Sequence, residues 1–188
     1  MEPRPQVPLT IDDPVVLVLM GVSGCGKSTV AALLAGTLGW PFEEGDALHP
    51  QANIDKMATG HPLTDEDRWP WLSLVADWID ERLDAGENGV ITCSALKRSY
   101  RDALRDAQPA LRFVHLALTE NQALQRVAAR AGHFYPPSLV ASQFQALEDP
   151  AREPGVVVIQ ASLPLDEVVA HAVRGLADQG SADSTIRN

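Results

Sequence analysis

The fold of this chain is decided by the segment Gly21-Val22-Ser23-Gly24-Cys25-Gly26-Lys27-Ser28, a full match to the pattern G-x4-G-K-[ST]. A continuous apolar run over Val15–Met20 precedes it and is typical of a strand buried on both faces. An amphipathic helix is predicted directly after it, over Lys27–Leu38. Glycines in such a turn let backbone N–H groups point at a phosphate, and the helix N-terminus adds partial positive charge. The segment therefore predicts a phosphate-binding loop.

Two side chains of this loop favour ATP with Mg²⁺ over a glycine-rich turn that binds nothing. Lys27 would place a full charge near the β- and γ-phosphates, and the Ser28 hydroxyl is short enough to bind Mg²⁺. Cys25 occupies a variable position of the motif, so we expect no role for its thiol. The residues expected to bind the nucleotide are Gly21, Val22, Ser23, Gly24, Cys25, Gly26, Lys27, Ser28 and Thr29.

The rest of the chain narrows the reaction class. The segments DxxG and NKxD of regulatory GTPases and LSGGQ of transporter ATPases are absent. The predicted strand Gly89–Cys93 runs into Ser94 and not into an aspartate, so the usual second metal-binding carboxylate is missing there. Small phosphotransferases tolerate that arrangement, and they are the class that the loop and its surroundings favour.

The composition limits the number of domains, the kinds of partner and the compartment that we expect for this chain. The 188 residues include 45% apolar residues, which suffices for the core of one domain. The net charge of -10 argues against a nucleic-acid partner, since such a protein would need a basic face. Cys25 and Cys93 have no metal-ligand or disulfide spacing, which favours a reducing compartment. The apolar runs are too short to span a bilayer, and the N-terminal residues do not have the pattern of a signal peptide. We therefore expect a soluble cytoplasmic protein.

Strands and helices alternate along the chain, so we predict an α/β fold with a parallel sheet between two layers of helices. Its five strands are expected at 15–20, 42–44, 89–93, 111–118 and 156–159, and helices at 27–38, 65–85, 120–130 and 165–176. We expect a single domain over 14–178, a loose arm over 1–13, a polar tail over 179–188 and a mobile lid at about 131–138.

Asp46 follows the short predicted strand at 42–44, at the sheet edge where the phosphate-binding loop also lies. Its carboxylate could accept a proton from an attacking hydroxyl, orient that hydroxyl, or reach Mg²⁺ through water. It could equally be a turn aspartate that caps the next helix. The sequence leaves both interpretations open.

Three basic residues that could contact the second substrate follow Asp46 in the chain. Arg68 has a fork of donors that suits a carboxylate, although it could instead form an exposed ion pair with Asp65 or Asp67. Lys97 and Arg101 are four residues apart after the strand at 89–93 and would share one helical face. Such a pair suits an anionic substrate, or else it forms an ordinary solvated basic face.

Arg126 and Arg130 are also four residues apart, directly before the expected lid. Arginines that close over the nucleotide with a lid would neutralise the charge that develops during phosphoryl transfer. The alternative is a pair of surface arginines at a helix end.

At these motifs the chain resembles the gluconokinase family, small kinases that phosphorylate D-gluconate with ATP and share a fold with shikimate and nucleoside-monophosphate kinases. The matching stretches span most of residues 15–150, in the same order and with the same spacing. They are GVSGCGKST, EGDALHPQANIDKMATGHPLTDEDRWPWL, CSALKRSYRDALR, RAGHF and SQFQALEDP.

The resemblance implies a role for each candidate residue. Asp46 would face the gluconate hydroxyl, and Arg68, Lys97 and Arg101 would engage the carboxylate or hydroxyls. Arg126 would lie on the adenine side, Arg130 would act in catalysis from the lid, and His133 would join the substrate-binding residues. A homodimer is compatible with the family. The alternatives are a kinase for another small hydroxy acid such as shikimate, a nucleoside-monophosphate kinase, and a nucleotide-binding module without chemistry.

Overall fold

The computed structural model describes residues 13–108, 110–129 and 137–186. Within these residues, five parallel strands form one sheet in the order β2-β3-β1-β4-β5. The strands are β1 (Val16–Met20), β2 (Phe42–Glu43), β3 (Gly89–Thr92), β4 (Leu111–Ala117) and β5 (Val156–Gln160). The predicted five-stranded parallel sheet is thereby confirmed.

Helices connect the strands and cover both faces of the sheet. They are α1 (Lys27–Leu38), α2 (Gln51–Ala58), α3 (Asp65–Asp84), α4 (Arg98–Ala107), α5 (Glu120–Ala128), α6 (Pro137–Ala146) and α7 (Leu165–Ile186), with a 3₁₀ turn over Gly45–Leu48. None of the helices in the described part of the chain combines the length and apolarity needed to cross a bilayer.

The apolar core lies on both sides of the sheet because successive side chains of a strand point to opposite faces. On β1, Leu17 and Leu19 join a cluster with side chains of α1 and α7. The alternate residues Val16 and Val18 join a second cluster with side chains of α3 and α4. This division is the three-layer architecture that the sequence predicts.

Strand β1 lies at the centre of the sheet, so the loop that follows it meets the loops after its neighbours at one edge. The Gly21 N–H after β1 donates to the Ser94 carbonyl after β3, at 3.3 Å. The 3₁₀ turn after β2 lies at the same edge, where the Gly45 N–H donates to the Thr92 hydroxyl at 3.0 Å. The topology thus brings three loops together.

Some helix ends lie where the sequence predicts them, and others do not. Helix α3 begins at Asp65, as expected, and Thr64 caps it: the Thr64 hydroxyl accepts from the Asp67 N–H in a capping box. Helix α7 continues to Ile186 and so takes in residues 179–186 of the expected tail, while α6 begins at Pro137, within the expected lid. Residues 1–12 of the expected arm lie outside the described residues, and the division into arm, domain and tail stays a prediction.

Candidate active site

Glycine is required in the phosphate-binding loop by close approach as well as by backbone angle. Gly21 has a φ of 137°, and a Cβ there would lie 2.9 Å from the Leu116 carbonyl oxygen. Gly24 has a φ of 83°, and its Cβ would lie 3.0 Å from the Ala123 carbonyl oxygen. Any side chain at these positions would push the loop away from β4 and α5.

Lys27 begins helix α1, and its ammonium group lies over the loop. The Nζ atom donates to the carbonyl oxygens of Gly21 at 3.0 Å and Val22 at 3.2 Å. Ser28 follows in the first helical turn, where its side chain is exposed. Both side chains thus stand at the mouth of the loop, as the motif predicts.

The first cavity lies between the loop, α5 and the start of α7. Arg126 is fixed there by hydrogen bonds from Nη2 to the Ala161 carbonyl at 2.6 Å and from Nη1 to the Cys25 carbonyl at 3.4 Å. The cavity is lined by Cys25, Gly26, Thr29, Val30, Arg126, Ala161, Leu163, Leu165 and Val168. Its mixture of apolar walls and one guanidinium suits a flat base beside a phosphate chain.

The second cavity opens on the other side of the loop. It is lined by the loop residues Ser23 and Lys27 together with the predicted site residues Asp46 and Arg68. The full lining consists of Ser23, Lys27, Asp46, His49, Met57, Pro62, Leu63, Arg68, Ser94, Leu139, Ser142 and Gln143. A molecule in this cavity would lie between a carboxylate, a guanidinium and the phosphate-binding loop.

Asp46 is held at this cavity through its neighbour Gly45. The Gly45 N–H donates to the Thr92 hydroxyl, and its carbonyl accepts from Trp71 Nε1 at 2.7 Å. A Cβ on Gly45 would lie 1.9 Å from the Thr92 carbonyl oxygen, so only glycine fits. The Asp46 side chain itself forms no hydrogen bond or ion pair with the described residues, and α2 has no side-chain cap. This geometry favours the interpretation as a site residue over that of a helix cap.

The structure also separates the two interpretations of Arg68. Asp65 pairs with Lys97 at 2.6 Å, and Asp67 pairs with Lys56 at 2.5 Å. These ammonium groups hold the pKa of both carboxyls below the ordinary range, with further hydrogen bonds from Tyr100 to Asp65 and from Thr64 to Asp67. Within the described ranges, Arg68 has no carboxylate partner and faces the cavity.

The expected role of Arg101 needs correction. Its side chain is 0% exposed, and all five of its N–H donors are used within the protein. They bind both carboxylate oxygens of Glu153, at 2.9 and 2.5 Å, and the carbonyl oxygens of Ala95, Leu96 and Glu148. Arg101 therefore ties α4 to the segment after α6 and has no donor left for a substrate.

Lys97 does not share a helical face with Arg101, because it is the extended N-cap residue of α4. Its Nζ donates to both carboxylate oxygens of Asp65, at 2.6 and 2.8 Å. It does not line the second cavity. Arg130 and His133, the remaining two predicted site residues, lie outside the described residues.

Comparison with known proteins agrees with this geometry. A family model described as an AAA domain matches residues 16–154. The gluconokinase of Gluconobacter oxydans is 50% identical over 86% of this chain and 90% of its own length. The chain belongs to the gluconokinase family. The thermoresistant gluconokinase of Escherichia coli is 43% identical over 84% of this chain and 91% of its own length.

The solved structures lead to the same family. The crystal structure of a gluconokinase from Sinorhizobium meliloti superposes with a TM-score of 0.84 at 47% identity, over 93% of this chain and 98% of that one. The chain is thus a phosphotransferase of the P-loop class that uses ATP, and the resemblance seen in its motifs is confirmed.

Sequence reasoning missed one residue that contacts the loop directly. Gln143 of α6 accepts the Ser23 N–H through Oε1 at 2.6 Å and donates from Nε2 to the Ser23 hydroxyl at 3.2 Å. The contact joins residues 120 positions apart, so no local pattern reveals it. The motif SQFQALEDP was the available signal, and it carried no physical argument for a particular residue.

A buried histidine behind the loop makes stability depend on pH. His115 of β4 is 6% exposed, and burial, with a smaller contribution from Arg101, lowers its pKa to about 4. The unfolded chain therefore binds more protons at this site between pH 6.5 and 4. The free energy of unfolding falls as the pH is lowered through that window.

When the pH is lowered from 7 to 4.5, we expect the free energy of unfolding to fall by about 2 kcal/mol more in the wild type than in the His115→Leu variant. Urea unfolding at both pH values measures the difference. Glu153 does not mask the effect. Its pKa is lowered from 4.5 in the folded protein, so the stability that its ionised form contributes is lost mainly below pH 4.5. Equal losses in the two proteins would contradict the assignment of a neutral buried His115.

Proposed function

We propose that this protein transfers the γ-phosphoryl group of ATP to a hydroxyl of D-gluconate, which yields ADP and 6-phospho-D-gluconate. The observation that carries the proposal is the second cavity, which is lined by Asp46 and Arg68 together with Lys27 of the phosphate-binding loop. A polyol with one carboxylate needs a proton acceptor for its reacting hydroxyl and a cation for its acid group. This cavity offers both beside the nucleotide loop.

The reaction needs one bond to form and one to break. The terminal hydroxyl oxygen of gluconate attacks the γ-phosphorus, and the bond between that phosphorus and the β–γ bridging oxygen breaks. ADP leaves with the electron pair of the broken bond, and the hydroxyl proton passes to the carboxylate of Asp46. Lys27 and the loop N–H groups stabilise the negative charge on the phosphates.

Arg68 is proposed to bind the carboxylate of gluconate. Its guanidinium lies 6.0 Å from the Tyr100 ring centroid, and the nearby acids Asp65 and Asp67 are already paired with lysines. A free fork of donors at the cavity wall matches the two oxygens of a carboxylate. Holding the acid end there would direct the far hydroxyl of the chain toward the loop.

The residues present fit a magnesium ion held mainly through the nucleotide. The Ser28 side chain is exposed in the first turn of α1, and Asp46 lines the same cavity as Ser23 and Lys27 of the loop. No group of three His, Cys, Asp or Glu residues within 13–108, 110–129 and 137–186 could hold a metal ion alone. Mg²⁺ would neutralise phosphate charge when bound, with Ser28, phosphate oxygens and water as its ligands.

The proposal is tested by ADP release with ATP, Mg²⁺ and one acceptor at a time. D-gluconate, shikimate, AMP and a reaction without acceptor form the panel. Turnover with gluconate alone is the expected result. Turnover with shikimate or AMP instead would replace the substrate and keep the phosphate chemistry. ADP release that is equal with and without acceptors would indicate a nucleotide-binding module that only hydrolyses ATP.

Arg68→Ala is expected to raise the KM for gluconate about 10- to 100-fold and to change kcat little, because a charge-assisted contact to the bound acid is lost. Lys97→Ala serves as the matched variant, since it removes a nearby cation that is paired with Asp65. Initial rates over a range of gluconate concentrations measure both. A KM that rises in Lys97→Ala and not in Arg68→Ala would move the carboxylate contact to Lys97.

The remaining expectations stay proposals. Arg126 would contact the nucleotide on the adenine side, Arg130 would act from the lid, and His133 would contact the substrate. A cytoplasmic location, expected from the cysteine spacing and the lack of a signal peptide, and a homodimer, compatible with the family, also stay proposals.

A further inference from the structure

The ring of His49 is fixed in the wall of the second cavity. It stacks on Trp71 with ring centroids 4.2 Å apart and an interplanar angle of 16°. Trp71 is 0% exposed, and its Nε1–H binds the Gly45 carbonyl next to Asp46. The plane of the histidine is thus fixed relative to the turn that holds Asp46.

Hydrogen bonds also decide which ring nitrogen of His49 carries the proton. Asn53 Nδ2 lies 2.8 Å from the Asp67 carbonyl oxygen, so this end of the amide must be the NH₂ group. The same Nδ2 lies 3.2 Å from His49 Nδ1. Since an amide NH₂ only donates, Nδ1 must accept, and the proton of the neutral ring is on Nε2.

The ring is neutral at the pH of the cell. Burial, and to a smaller extent Arg68, lowers the pKa of His49 to about 4, while Asp46 acts in the opposite direction. His49 thus adds an uncharged N–H donor to a cavity wall that already contains the Asp46 carboxylate and the Arg68 guanidinium. Each of the three side chains suits a different part of a polyol acid.

We propose that His49 is a specificity-determining residue. Its Nε2–H donates a hydrogen bond to a substrate hydroxyl other than the one that is phosphorylated. The inference rests on the proposed function and deepens it. A donor on the attacked oxygen would lower its nucleophilicity, so a neighbouring hydroxyl is the suitable partner. Asp46 and His49 would then recognise two hydroxyls of one chain, the first as acceptor and the second as donor.

Because the His49 N–H is buried, it discriminates strongly between substrates that have the matching hydroxyl and substrates that lack it. An acceptor that lacks the matching hydroxyl leaves the His49 N–H without a partner, which costs about 10- to 100-fold in affinity. A carbonyl oxygen at the same position would be tolerated, because it accepts a hydrogen bond as a hydroxyl oxygen does.

Two variants separate the hydrogen bond from packing. His49→Phe keeps an aromatic ring on Trp71 and removes the N–H, while His49→Gln can place an amide N–H near the position of Nε2. We expect His49→Phe to raise the KM for gluconate about 10- to 100-fold, with the KM for ATP unchanged, and His49→Gln to recover part of the loss. Equal losses in both variants, together with a raised KM for ATP, would overturn the proposal.

The partner hydroxyl is identified with the singly deoxygenated analogues of D-gluconate that keep the terminal hydroxyl. For one analogue, kcat/KM should be at least as high in His49→Phe as in the wild type, because the hydrogen bond is already missing and the variant has no N–H to leave unpaired. A penalty that persists with every analogue would mean that His49 acts through packing. If the wild type uses another acceptor, the proposed function fails, and the same comparison of variants on that acceptor tests His49 alone.

The tautomer provides a readout that does not depend on turnover. Ring ¹⁵N shifts of the ligand-free wild type, with His49→Phe to assign the signal, are expected to show a neutral ring protonated at Nε2 near pH 7. A ring protonated at Nδ1 would overturn the proposal, since Nε2 could then not donate.

Discussion

Replacing Lys27 with alanine is expected to lower kcat/KM about 1,000-fold and to leave the fold intact. Lys27 is the only cation of the loop motif, and its Nζ already lies over the loop, 3.0 Å from the Gly21 carbonyl oxygen. Without it, the loop itself offers only backbone dipoles to the charge that develops on the phosphates. The side chain is partly exposed, so its hydrogen bonds to the carbonyls of Gly21 and Val22 add little to stability. Initial rates of ADP release and a thermal unfolding curve measure the two effects.

Arg98→Ala is the matched control for this prediction. It removes one positive charge from an arginine on α4 whose side chain is 68% exposed and paired with Asp102. Its kcat/KM should stay within about twofold of the wild type, since Arg98 does not line the cavity and exposed, paired charges act weakly. Turnover of Lys27→Ala at the rate of this control would refute the assignment of the loop.

The Asp46→Asn variant is expected to lose about 100- to 10,000-fold in kcat while its affinity for gluconate changes little. The amide has the shape of the carboxylate and can still hydrogen bond to a hydroxyl, but it cannot take up the proton. Gly45 fixes the backbone at this point, so the substitution does not move the turn. Rapid-quench single turnovers and gluconate binding by calorimetry separate the two quantities.

Asp55→Asn controls for the change of charge and shape. Asp55 lies on α2, where its carboxylate accepts from the Gln51 amide at 2.8 Å on the surface. This variant should be fully active. If Asp46→Asn raises only the KM, Asp46 binds the acceptor and does not accept its proton.

Local patterns were sufficient to predict the sheet, the loop and the position of Asp46. The motif from Gly21 to Ser28 specifies a strand, a turn and a helix in a row, and each is found where expected. Asp46 could be placed because the carboxyl ends of parallel strands meet at one edge. The conformation of Gly45, which holds Asp46 in place, was not predictable, since Thr92 and Trp71 approach it from other parts of the chain.

Contacts between distant segments account for what the sequence did not reveal. Spacing alone suggested a shared face for Lys97 and Arg101, but this argument holds only if both residues are helical. Lys97 is an extended cap, and Arg101 turns inward to Glu153, which lies 52 residues further on. The contact of Gln143 with Ser23 and the orientation of His49 likewise depend on packing between elements.

The burial of Arg101 has a consequence for genetic studies of this protein. Breaking a buried ion pair costs about 3–5 kcal/mol, which is a large part of the stability of an ordinary domain. A cell that carries such a variant would contain less folded enzyme, because unfolded chains are degraded. A growth screen would therefore score Arg101 as essential, like Lys27, although Arg101 never meets the substrate. Only purified protein, with rates given per folded molecule, distinguishes the residue that holds the enzyme together from the one that binds phosphate.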